Sequence, residues 1–283
     1  MFEKLKSIVV GVDLLDGGNL SAGSAVALEA AKTLAAEFGA RLVVFHATKQ
    51  KTESLRERLE AAAGVGSGSV TAAVVHVSKK PADALIEYVI ESSAGLIVVG
   101  DHDQKTRLMP RLGSMTRGLL RHSPVPVYVA HHRHTGRPSR ILAMTDLKPE
   151  GQRAVAAAAE LAGRIGAELT VGHAHALTME EQLASARMTP DEIIERVRLF
   201  KEKGTERVRE ALPAGSDARI VVEVTGAVEL TEHLIEEVRP ELLVLGTTAV
   251  HGLAGRVFGS IAAQIVDRVP CSVLVLRPLR EKS

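Results

Sequence analysis

The chain has 283 residues, 46% of them hydrophobic but only 2% aromatic, and a formal net charge of +1. That length suits one large domain or two small ones, and the near-neutral charge gives no overall case for a nucleic-acid binder. A single cysteine, Cys271, excludes an intrachain disulfide and points to a reducing compartment. The opening MFEKLKSIVVGVD lacks a long apolar stretch of the signal-peptide kind. No apolar run reaches the ~18 residues of a membrane span. The expectation is a cytoplasmic protein with no membrane partner. With no Trp, its core must be built from Val, Leu, Ile and Ala, as in sheets covered on both faces.

Short β-rich runs are predicted at 7–12, 41–47, 70–77, 95–99 and 125–130. Helix-period segments fall between them at 22–38, 53–63, 81–93 and 114–121. A polar linker with Gly and Pro, HHRHTGRPS, follows at 131–139. Strands are then predicted at 140–145, 168–174, 218–224, 241–245 and 272–276, with helices at 150–165, 190–211, 227–238 and 258–268. Alternating β and α segments imply an α/β fold with parallel sheets and right-handed crossovers. Ligands in such sheets sit at the carboxyl ends of strands.

The chain repeats itself. SIVVGVD (7–13) returns as RILAMTD (140–146), and RLVVFHA (41–47) as ELTVGHA (168–174). The stretch 95–130 aligns with 241–276 without a gap, pairing Gly100 with Gly246, Gly113 with Gly259, Ser114 with Ser260 and Pro124 with Pro270. Two homologous domains are expected, 1–133 and 138–283. They differ in two places. The interval from Asp13 to His46 is 33 residues and that from Asp146 to His173 is 27, the excess lying around LLDGGNLSAG (14–23). That stretch reads as flexible by its Gly and Ser content. The second half also carries an insertion, 175–217. Its helix has apolar positions at Ile193, Ile194, Val197, Phe200 and Val208, with Thr189 as N-cap and Pro190 in the first turn. It covers either its own domain or a partner.

These residues resemble the universal stress protein family in its tandem form. The pattern is an early strand ending in Asp, a second ending near His, a glycine loop closing on Gly-Ser, and a last strand of the type PCSVLVL (270–276) or PVPVYVA (124–130). The resemblance implies two doubly wound five-stranded parallel sheets, adenine nucleotide α-hydrolase-like, in strand order 3-2-1-4-5. It also implies that the two halves pair within the chain through strand five, and that two chains can form a homodimer. Many members bind ATP; their roles lie in stress survival and signalling, with an unnamed protein partner.

By that resemblance the second half would hold the nucleotide with Asp146 near the ribose and the Ala174 backbone near adenine. Leu245 and Ile261 would flank it. Gly246, Ala249, Gly259 and Ser260 would form the phosphate loop. Glycine lets backbone approach an anion, and a helix start offers free N–H groups. Ala249 replaces a glycine, at a cost on the order of 1 kcal/mol where φ must be positive. The first half keeps Asp13, Ala47, Gly100, Gly113 and Ser114, but Asp101 and Asp103 would repel a triphosphate unless Mg²⁺ or Mn²⁺ bridged them. Arg107, Arg111 and Arg256 lie in the loops, as phosphate contacts or as solvated charges. Turn and cap chemistry alone also accounts for the glycines, and Asp13 and Asp146 could simply cap their loops.

Other features point less far. His131, His132 and His134 cluster in the linker and could bind a transition metal, but spacing sets no carboxylate or thiol partner, so a solvated linker is the favoured reading. His46 and His173 read as packing residues bonded to backbone, and Cys271 as an inert core thiol. No motif marks a nucleophile, a zinc site or a Walker lysine. The functional expectation is a stress-response module binding ATP with Mg²⁺ in the second half. The alternatives are an interaction scaffold that binds no nucleotide and, at most, a slow ATPase.

Overall fold

Short apolar runs and longer amphipathic ones alternate along the sequence, and the computed structural model realises them as strands and helices. It describes residues 2, 5–16, 18–49, 54–66, 70–77, 80–101, 112–133, 136–247, 250–252, 255–257 and 259–276. The first half runs β1 (Ser7–Gly11), α1 (Ala22–Phe38), β2 (Arg41–Thr48), α2 (Leu55–Ala63), β3 (Val70–Val77), α3 (Pro81–Ser92), β4 (Leu96–Gly100), α4 (Ser114–His122) and β5 (Val127–Ala130). The second runs β6 (Arg140–Thr145), α5 (Pro149–Ile165), β7 (Glu168–Ala174), α6 (Met179–Ser185), α7 (Pro190–Ala211), β8 (Ala218–Glu223), α8 (Ala227–Val238) and β9 (Leu242–Gly246). The chain continues through β10 (Val250–Gly252), β11 (Gly255–Val257), α9 (Ser260–Val266) and β12 (Ser272–Leu276).

Two units form, Met1–Pro138 with Thr247–Ser283, and Ser139–Gly246. In the first, strands follow the order β3-β2-β1-β4-β5-β12. Its pairs are parallel except the last: β12 runs antiparallel to β5, with Leu274 opposite Tyr128. In the second, the order is β9-β6-β7-β8, all parallel. Central strands are buried on both faces, so Ile8, Val9, Val10, Ile141, Leu142 and Ala143 have no exposed surface. The helices against them carry alanine inward, Ala27, Ala31 and Ala35 on α1 and Ala154, Ala158 and Ala162 on α5. Small side chains let a helix lie close to a sheet of branched ones. Both helices stop where glycine takes the left-handed conformation, Gly39 at φ 61° and Gly166 at φ 70°.

At the β5–β12 pair, Tyr128 is buried, and its hydroxyl bonds with Ser272. Burial pushes its phenol up to about 12. Cys271, just before β12, is a buried thiol.

Three features were not in the sequence reading. The insertion holds a short helix, α6, before α7; Thr178 and Glu181 cap it reciprocally, as Thr189 and Glu192 cap α7. A hairpin, β10–β11, stands in the stretch read as a phosphate loop. The Gly-rich stretch 14–23 closes on itself through an antiparallel bridge from Leu14 to Leu20, and Arg58 donates to the Leu15 and Asp16 carbonyls. The insertion helix covers its own sheet only in part. Val208 is buried and Phe200 stacks on His175 at 4.2 Å, but Ile193 and Ile194 stand exposed.

Candidate functional site

In the second unit, β6 ends at Thr145 and the chain turns sharply. The turn needs Leu147 at φ 60°, and the structure holds it there by burying the Leu147 side chain. Three contacts lock the turn. Leu147 N–H donates to Thr145 Oγ1 at 3.0 Å, and Lys148 N–H to Asp146 Oδ1 at 3.1 Å. The His173 Nδ1–H, from β7, donates to the Thr145 carbonyl at 2.9 Å. Asp146 therefore caps its own loop with one oxygen. Its other oxygen, Oδ2, lies 3.6 Å from Lys148 Nζ, and the carboxylate is half exposed.

The strand-end glycines have a packing reason. A Cβ on Gly246 would lie 2.3 Å from the Glu150 carbonyl oxygen, in the first turn of α5. One on Gly151 would lie 2.6 Å from both Asp146 Oδ1 and Thr145 Oγ1. The first unit repeats the device: a Cβ on Gly100 would meet the Gly23 carbonyl oxygen at 2.1 Å. Gly23 and Gly151 were not singled out from sequence. The signal was a glycine in the first turn of the first helix of each half. Leu245 is buried, and Ala174 and Gly246 are partly exposed at the ends of their strands.

Gly259 is different. It is the N-cap of α9 at φ −54°, and among the described residues a Cβ there would meet nothing within 4 Å. Its φ does not require glycine, and no described neighbour crowds it. Ser260 is exposed, as is Ile261 at 52%. Ala249 lies outside the described residues, and of the Arg256 side chain nothing is described.

In the first unit, Asp13 is exposed; its N–H donates to Ser24 Oγ and its carbonyl accepts from Ser21, the N-cap of α1. His46 repeats the role of His173, with Nδ1 3.0 Å from the Val12 carbonyl. Gly113 caps α4, exposed Ser114 opens it, and Leu112 N–H donates to Asp267 Oδ1. Asp103, Arg107 and Arg111 lie outside the described residues.

Just past the ends of β4 and β5, the first unit gathers three further side chains. The parallel register pairs Gly100 with Ala130, and Asp101 N–H donates to the Ala130 carbonyl, which sets Asp101 beside His131. Asp101 Oδ2 lies 3.5 Å from His131 Nε2 and 3.3 Å from His132 Nδ1. The linker histidines do have a carboxylate partner, supplied by the fold across 30 residues of sequence. His134 lies outside the described residues.

An open groove of about 700 Å³ lies along β8 and α8. Glu223, Glu229, Glu232, Glu236 and Glu237 rim it, so a polyphosphate would be repelled there. Among the described residues no helix is long and apolar enough to cross a membrane.

No curated protein matches the chain. Its fold is similar to that of a protein of unknown function from Pseudomonas aeruginosa PAO1, at TM-score 0.73 and 22% identity over 98% of this chain and 94% of that one. It is also similar to a universal stress protein from Archaeoglobus fulgidus DSM 4304, at TM-score 0.60 and 17% identity over 97% and 99%. The model of the universal stress protein family matches residues 47–131 and again 138–277. Matched in both halves, with the α/β architecture of its solved relatives, the chain belongs to the universal stress protein family.

Proposed function

We propose that this protein is a cytoplasmic stress-response module that binds an adenine nucleotide, ATP, through its second half. The observation that carries the reading is Gly259. Gly246 and Gly100 are explained by packing, but no described neighbour crowds Gly259, and other N-cap residues would open α9 as well. A bound phosphate would favour glycine there, because it needs the bare backbone N–H within reach. Asp146 supports the reading with an exposed carboxylate at the end of β6, suited to ribose hydroxyls. Ala174 would offer its backbone to adenine, and Ser260 its hydroxyl to phosphate. Mg²⁺ would enter with the ATP rather than on a cage of the protein's own. The reading is of binding, not turnover.

The test is calorimetry of the full chain with Mg-ATP. Gly259→Asp places a favoured N-cap residue before α9, so the fold is kept, while its carboxylate opposes phosphate. A loss of at least about tenfold in affinity, with unchanged thermal stability, is expected. ATP bound equally well by wild type and variant would reject the site. Adenine nucleotide released from the denatured protein as purified would support the reading independently.

A second reading is an interaction scaffold without nucleotide. It is favoured by Met179, Leu183 and Ile194, which stand 71%, 64% and 67% exposed on α6 and α7. Absence of ATP binding at millimolar concentration would move the function there.

A further inference from the structure

We infer that Asp101, His131 and His132 form a binding site for a divalent transition metal of the Zn²⁺ class. The inference does not rest on nucleotide binding. The donor set is one hard oxygen and two imidazole nitrogens, which suits zinc and its neighbours rather than Mg²⁺ or Ca²⁺. One donor atom from each residue lies within 4.8 Å of the others.

The spacing suits a metal. Bonds of about 2.0–2.2 Å at tetrahedral angles put neighbouring ligand atoms roughly 3.3–3.6 Å apart. The two nitrogen-to-Oδ2 separations are 3.5 Å and, for the long His132–Asp101 hydrogen bond, 3.3 Å, both on the edge length of that tetrahedron.

Two of the ligands are already fixed. The Asp101 and His131 side chains are only 11% and 10% exposed. Asp101 is anchored through its N–H on Ala130, and His131 through its N–H on Ser272 Oγ at 3.0 Å. His132 is half exposed and its ring stacks on His131 at 4.3 Å, so it is the ligand that turns to complete the set. Ligation by His131 Nε2 puts the proton on Nδ1, which now accepts from Arg133 N–H at 3.3 Å. That long contact is the one given up. Three protein ligands leave a fourth position for water.

The fold does not impose these residues. In the repeat, Thr247 occupies the position of Asp101, and its N–H makes the same bond, to the Leu276 carbonyl at 3.0 Å. A threonine there satisfies the backbone as well as an aspartate does.

The experiment is a titration of the metal-stripped full chain with zinc chloride, followed by calorimetry and repeated with cobalt for its four-coordinate absorption. One metal per chain is expected at micromolar affinity. Asp101→Asn and His132→Ala should each weaken it by at least about tenfold. His233→Ala, on α8, should leave it unchanged. Because His132 is half exposed, its variant retains the fold, which circular dichroism checks. No stoichiometric binding, or equal binding by wild type and both site variants, overturns the inference. So does loss in the His233 variant alone.

Discussion

A glycine's surroundings decide what it is for. At Gly246 and Gly100 an added methyl would press on backbone that cannot move aside, at 2.3 and 2.1 Å. Gly246→Ala and Gly100→Ala should each destabilise by about 1–3 kcal/mol, read as a lower urea midpoint. A midpoint unchanged in both would mean that the helix starts shift freely. His173 adds a pH dependence. Burial holds its imidazole below the usual histidine value, against the opposing bond to the Thr145 carbonyl. The unfolded chain then binds the proton more readily than the native one. Stability should fall as pH drops through about 6.5, toward the lower pKa of the folded state. His173→Gln should flatten that decline between pH values of about 7.5 and 5.5. An equal slope in both proteins would refute this origin.

At the scale of elements, the strands and most helices were legible because the sequence supplies each boundary with its own chemistry. Gly39 and Gly166 end α1 and α5, Thr189 and Pro190 open α7, and the buried strands are unbroken apolar runs. The short α6 was not read: its Thr178 and Glu181 pair marks a helix start, but seven residues give no periodicity. The candidate site was less legible. The Asp101–His131 approach depends on the register of β4 against β5, which no local pattern encodes. Gly246 and Gly259 look alike as letters, and only the atoms around them separate a packing glycine from one that no described neighbour crowds. The insertion divides in the same way. Gly204 on α7 faces Val222 and His173, and a Cβ there would lie 2.7 Å from Val222 Cγ1. Gly204→Ala should cost about 1–3 kcal/mol. Ile194→Ser, at 67% exposure, should stay within about 0.5 kcal/mol of wild type. Comparable losses in thermal melts would show that the whole length of α7 packs alike.

On the scale of the whole molecule, the pairing of β5 with β12 joins the last strand of one half to the last of the other. The family's pairing through strand five is, in our reading, made here within one chain. Residues 1–133 expressed alone would leave β5 as an open edge of buried apolar residues, VYVA. They should associate in solution, and light scattering that finds a monomer would contradict this.

The lone thiol lies beside that seam. Cys271 precedes β12, is 3% exposed, and has no second cysteine to exchange with. The chain has no tryptophan, so it lacks the usual fluorescent report of unfolding. Cys271 can take that place as a clock. A thiol reagent can modify it only when the strand lifts, so the labelling rate in native buffer measures how often this part of the molecule opens.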